Sequence, residues 1–247
     1  MTELADLIII ITSILILPAI LFAFYAQFLV QSRFNRYSGE MSTSGENGAT
    51  IARRLLDQNG CSHVGIEQSR GHLSDHYDPR TKTVRLSQKV YSSSSLAALG
   101  VAAHEVGHAV QDHTGYLPLK IRQLVIRTTR LVNVALIPLI IIGFIGMFAG
   151  AHLLSEEFFF YFILALAIMY GLSTLVNLIT LPTEFNASKR AKQMLDADGA
   201  IRDQDEKQGV SRVLGAAAMT YVAALVVSLV YFLRFAAILI AMSGRRN

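Results

Sequence analysis

The residues best suited to chemistry lie in the stretch Leu96-Ala-Ala-Leu-Gly-Val-Ala-Ala-His104-Glu105-Val-Gly-His108-Ala-Val-Gln-Asp-His113, which contains H-E-x-x-H. Successive residues of an α-helix turn by about 100° and rise about 1.5 Å. His104 and His108 therefore share a face roughly one turn apart and can grip one ion. Zinc is the ion this points to, because it takes imidazole nitrogen readily and in hydrolytic sites keeps three protein ligands and an open position for water. Glu105 lies beside the pair, where its carboxylate can accept a proton from that water. The bland alternative for a five-residue match is a pair of core histidines with satisfied hydrogen bonds. The flanks favour a helix: Ser92 to Ser95 offer an N-cap, Gly115 a stop, and Pro118 follows.

These residues must be positioned by a membrane protein. The 247-residue chain is 52% hydrophobic and only 16% charged, an unusual balance for a soluble domain of this size. Four apolar runs are expected to span the bilayer: residues 7–30, 131–151, 158–181 and 213–233, the last followed by Arg234 and a further apolar run to Met242. The first run has an acidic start and no small-residue cleavage site, so it reads as a retained span. Lys and Arg cluster in the segments after the first and third runs, which predicts the N-terminus outside and the catalytic segments in the cytoplasm. Arg245 and Arg246 would then lie outside, against the same rule. The flanking charges account for the net +4, and nucleic-acid binding is not expected. The lone Cys61 reads as a structural thiol.

Between the first two runs the pattern predicts a helix over 44–60, a short strand over 63–68, and a hairpin of 72–78 with 82–87 turning at Pro79-Arg80-Thr81. With the H-E-x-x-H helix these make a small α+β unit, in which a strand edge beside the metal can pair with an extended peptide. The expected domains are thus 1–30, 31–130, 131–181, 182–212 and 213–247.

A third ligand is needed. His113 falls on the opposite side of the helix from His104, Asp112 lies about 12 Å along the axis from it, and His152 belongs to the other membrane face. His72 and His76 on a strand are about 13 Å apart and read as surface residues or supports behind the ligands. The segment after the third run, Leu181-Pro-Thr-Glu184, supplies Glu184 in the first turn of a helix opened by Pro182 and Thr183. Metal ligation and a carboxylate placed for the helix dipole are both open readings of it.

Ala103-His-Glu-Val-Gly-His-Ala109, Asp75-His-Tyr-Asp-Pro79, Arg85-Leu-Ser87 and Pro182-Thr-Glu-Phe-Asn-Ala-Ser188 together resemble the bacterial YugP-type membrane zinc metallopeptidases, over nearly the whole chain. The likeness extends more distantly to the HtpX, Ste24 and Oma1 group of gluzincin membrane proteases, whose later ligand stands in E-x-x-A-D. The resemblance implies His104, His108 and Glu184 as zinc ligands and Glu105 as general base. The chain departs from the distant pattern at Ser188, where Asp would stand. A hydroxyl can still bond a ligand histidine but adds no charge.

The expectation is a mainly α membrane protein with about four transmembrane helices and a gluzincin-like α+β unit. Its expected activity is that of a zinc-dependent endopeptidase of the bacterial cell membrane, acting at the cytoplasmic face on protein or peptide substrates. The HtpX-like resemblance suggests misfolded membrane proteins among them. An oxyanion donor is required; Tyr221 is the candidate, with Tyr77, Tyr91 and Tyr116 as alternatives. The rival readings are an intramembrane site-2-type protease, for which the 96–110 run is short and no later Asp-Gly motif is found, and an inactive membrane scaffold or adaptor.

Overall fold

The computed structural model describes residues 2–71, 74–148 and 155–244. The elements are α1 (Thr2–Ser38), α2 (Gly48–Gln58), β1 (Gly65–Ser69), β2 (His76–Asp78), β3 (Thr83–Ser87), α3 (Gln88–Tyr91), α4 (Leu96–His113), α5 (Leu117–Phe148), α6 (Glu156–Asp198) and α7 (Gln204–Gly244). They form two compact units, one of 1–25, 121–179 and 221–247, the other of 26–120 and 180–220.

Three helices among the described residues, α1, α6 and α7, are long and apolar enough to cross a membrane, and each contributes a stretch to the first unit. Their large side chains stay uncovered by protein, as at Leu7, Ile14, Phe24 and Tyr161. That is what a lipid-facing surface requires. Polar side chains in the unit fold back on carbonyls or bond each other. Thr12 donates to the Ile8 carbonyl at 2.7 Å, and Asn177 donates to Ser228 Oγ at 3.1 Å. The sequence leaves open whether the run beyond Arg234 continues as one long helix or ends in an interfacial turn. α7 runs straight through Arg234, because the guanidinium reaches Ser13 and the Ile9 carbonyl on α1 and needs no helix end to be satisfied. The 131–151 run is helical as far as Phe148, within α5; its remainder, with His152, lies outside the described residues, as do His72 and the terminal arginines.

The second unit holds the H-E-x-x-H helix. α2 starts at Gly48, later than expected, because Asn47 and not Ser44 caps it, accepting from Thr50 N–H at 2.9 Å. One face of α2, Ile51, Leu55 and Leu56, is buried against α4, with Val84 and Leu86 of β3 in the same core. The sheet order is β1-β3-β2. The expected hairpin is present, β2 antiparallel to β3, and β1 pairs parallel with β3. Asp78 accepts from Arg80 N–H at 2.9 Å in the turn, and that bond above all, with Arg85, draws its carboxyl down to about 2. Ser95 caps α4 by accepting from Ala98 N–H at 3.2 Å, and Gly115 ends it with φ +67°, as the sequence predicts. β2 has one outer edge without a strand partner among the described residues.

One expectation fails in an informative way. Pro182 and Thr183 do not open a helix; both lie inside α6, which continues to Asp198. A proline removes one internal bond, and in a long membrane-type helix neighbouring groups absorb that loss. Glu184 therefore sits deep in a helix, not in a first turn, and the dipole reading of it falls.

α2 is tied to the end of α6 by Arg54, which donates to Asp198 at 2.7 Å from Nε and 2.6 Å from Nη2. Burial opposes the Asp198 charge, but Arg54 and Gln58 outweigh it and hold the carboxyl below its ordinary value. A depressed acid stabilises the fold above its unfolded pKa of about 4 and loses that contribution as pH falls through the folded value. Asp198→Asn should thus cost about 2 kcal/mol at pH 7, with the gap to wild type closing below about pH 4. Unfolding of the full chain in detergent micelles at several pH values checks this. A gap independent of pH would contradict it.

Candidate metal centre

The centre is assembled where α4 meets α6. His104 and His108, one turn apart on α4, stand with ring centroids 4.8 Å apart and edge to face. The backbones of α4 and α6 come close because position 107 has no side chain. A Cβ on Gly107 would lie 2.8 Å from the Ala187 carbonyl oxygen and 3.3 Å from its carbonyl and α carbons. At that approach Glu184, one turn before Ala187, reaches the imidazoles. Its Oε2 is 3.2 Å from His104 Nε2 and 3.6 Å from His108 Nε2.

The three donor atoms lie within 4.8 Å of one another, and Glu184 is only 2% exposed. Zinc bonds of about 2.0–2.2 Å at tetrahedral angles place ligand atoms roughly 3.4 Å apart. Two imidazole nitrogens and one carboxylate oxygen are also a donor set zinc favours. The residues present fit the ion. Both Nδ1 atoms are turned away and held: His104 Nδ1 lies 3.2 Å from Ser188 Oγ and His108 Nδ1 lies 3.0 Å from Gln111 Oε1. The hydroxyl at the position where Asp was looked for does meet a candidate ligand histidine.

Glu105 is buried beside the cluster. Burial pushes its pKa up to about 7; His104 pulls the other way and Glu184 adds to the rise. A carboxyl poised there can both take up and release a proton near neutral pH.

The remaining candidates fall elsewhere. His113 is exposed at the end of α4 with its ring 5.8 Å from that of His63. Asp112 accepts from Tyr77 Oη at 2.7 Å and from Lys82 Nζ at 2.6 Å, anchoring the β2–β3 hairpin to α4. Exposed His76 lies on β2, its Nδ1 2.8 Å from the Ser74 carbonyl. The Tyr77 hydroxyl, spent on Asp112 and pushed up in pKa first by burial and then by that bond, is no spare donor. Tyr91 ends α3 and Tyr116 sits in the turn after α4, while Tyr221 belongs to the other compact unit, on α7. Sequence reasoning passed over Gly107 and Gln111. Each carried a signal: a residue without a side chain between the two histidines, and an amide three positions after His108 on the same helix face.

With this geometry in place, the comparisons with known proteins fall into line. A family described as "Putative neutral zinc metallopeptidase" matches residues 12–240. The chain belongs to this zinc metallopeptidase family, and zinc is the metal the family implies. It is also 43% identical over 232 residues to the "Putative membrane protease YugP" of Bacillus subtilis (strain 168), covering 94% of this chain and 96% of that one. No solved structure matches the chain significantly. The relative's name and the three apolar helices make this a membrane protein of the metalloprotease class.

The approach at position 107 gives a test. Gly107→Ala forces backbone from backbone, a strain of about 1–3 kcal/mol, and should lower bound zinc well below that of wild type at equal free metal. Metal analysis of purified protein beside its melting temperature reads this. Full zinc occupancy with unchanged affinity would show that the close approach is dispensable.

Proposed function

We propose that the chain is a membrane-anchored zinc endopeptidase of gluzincin type that cleaves protein substrates near the cytoplasmic membrane face. The observation that carries this reading is the convergence of one ligand atom each from His104, His108 and Glu184 within 4.8 Å, with Glu105 buried alongside.

Zinc, when bound there, supplies a Lewis acid for the scissile carbonyl and lowers the pKa of a water towards about 7. Glu105 accepts the proton of the attacking water on its carboxylate and passes it to the leaving amine nitrogen. The outer edge of β2, which no described strand covers, offers backbone groups to an extended peptide. That recognition is indifferent to side chains and suits varied substrates, misfolded membrane proteins among them.

In this reading α5 is a fourth span beside α1, α6 and α7, so that α6 returns the chain to the side of the membrane it left. The basic residues 189–212 favour the cytoplasm for that side. α4 has 18 residues and is not among the three apolar helices, which speaks against cleavage within the bilayer. Intact ligands and base speak against a scaffold.

Glu105→Gln keeps the shape and removes the base. The variant should retain zinc at wild-type stoichiometry while hydrolysis of a casein-type substrate in detergent falls by at least about 100-fold. Undiminished cleavage would remove Glu105 from the chemistry, and cleavage that persists after chelation would remove the metal.

A further inference from the structure

Gln111, near the end of α4, is completely buried and uses every polar atom of its amide. Its Oε1 lies 3.0 Å from His108 Nδ1. Its Nε2 donates to the Thr183 carbonyl at 2.8 Å and to Asn186 Oδ1 at 3.0 Å. Asn186 Oδ1 also accepts from Arg190 Nε at 2.8 Å, so its own amide orientation is set.

The direction of these bonds has one consistent solution. A backbone carbonyl can only accept, so the Gln111 nitrogen must face Thr183 and its oxygen must face the imidazole. An acceptor at that place requires His108 Nδ1 to carry the proton. His108 Nε2, 3.6 Å from Glu184 Oε2, is then the nitrogen that can face a metal ion. The other histidine differs, because Ser188 Oγ, beside His104 Nδ1, can donate or accept and dictates no tautomer.

We infer that Gln111 is a positioning residue for the metal centre: it fixes the tautomer and ring angle of His108 and registers that ligand against the turn of α6 that carries Glu184. A buried network with every member satisfied holds one geometry, and partners behind a ligand histidine tune metal affinity. The inference rests on the reading of His104, His108 and Glu184 as the metal site, and the measurements below separate the two.

The full chain in detergent micelles is used throughout, with zinc alone as the probe. Histidine-labelled nitrogen NMR of the metal-free protein should show a proton on His108 Nδ1; a bare Nδ1 would overturn the assignment. Gln111→Met keeps length and burial but loses the amide, and zinc affinity measured by chelator competition should fall about 10–100-fold. Unchanged affinity in the folded variant would overturn the role. In a His108→Ala background the same substitution should produce no further loss, and an equal further loss would assign Gln111 to general packing. Wild-type protein that binds no zinc would sink the metal site instead, leaving the tautomer measurement to decide on Gln111. The same measurement decides if the methionine variant does not fold.

Discussion

Two helix backbones can touch only where one of them lacks a side chain, and the centre depends on such a place. Gly107 sits between the two histidines of α4, facing the backbone of Ala187 on α6, and a single methyl there would stand 2.8 Å from a carbonyl oxygen. Small residues at helix crossings serve the same end wherever axes must come unusually close. Here the approach sets the reach of Glu184, whose short side chain would not bridge an ordinary interaxial distance of about 8–10 Å. The motif therefore supplies two imidazoles, a base and the gap through which the next carboxylate arrives.

Bringing a carboxylate and two imidazoles out of water is costly unless each polar atom has a partner or an ion. The surroundings meet that cost with neutral and shared hydrogen bonds. Ser188 serves His104, Gln111 serves His108, and Asn186 with Arg190 completes the cluster. Away from the centre, Glu206 accepts from the Thr43 and Arg202 backbones and fixes the connector after α1 against α7. Asp112 holds the edge strand to the same helix that carries Glu105. Strand, base and the two imidazoles are thus referred to one rigid element, α4.

Much of this was legible because it is local. The pairing of His104 with His108, the Ser95 cap, the Gly115 stop and the hairpin around Pro79 follow from periodicities of a few residues, and all recur in the structure. Glu184 stands 80 residues from His104, and no local pattern measures that distance; the family resemblance named it before geometry did. Pro182 misled, because the rule that proline opens or breaks a helix describes helices in water, whereas α6 carries a membrane-type apolar stretch before it. Arg234 left the last run open, and α7 continues through it because a charge that finds Ser13 and a carbonyl on a neighbouring helix need not end its own. Gln111 was passed over, although its spacing from His108 marks it as a neighbour.

The central claim is a zinc ion held by two imidazoles from α4 and one carboxylate from α6. X-ray absorption at the zinc edge, on the full chain and on Glu184→Ala, tests it most directly. The wild-type spectrum should contain only nitrogen and oxygen ligands near 2.0–2.2 Å, with the outer scattering of two imidazole rings, and the variant should lose a protein oxygen while keeping both rings. A sulfur ligand, a single imidazole, or a spectrum untouched by the loss of Glu184 would contradict the account.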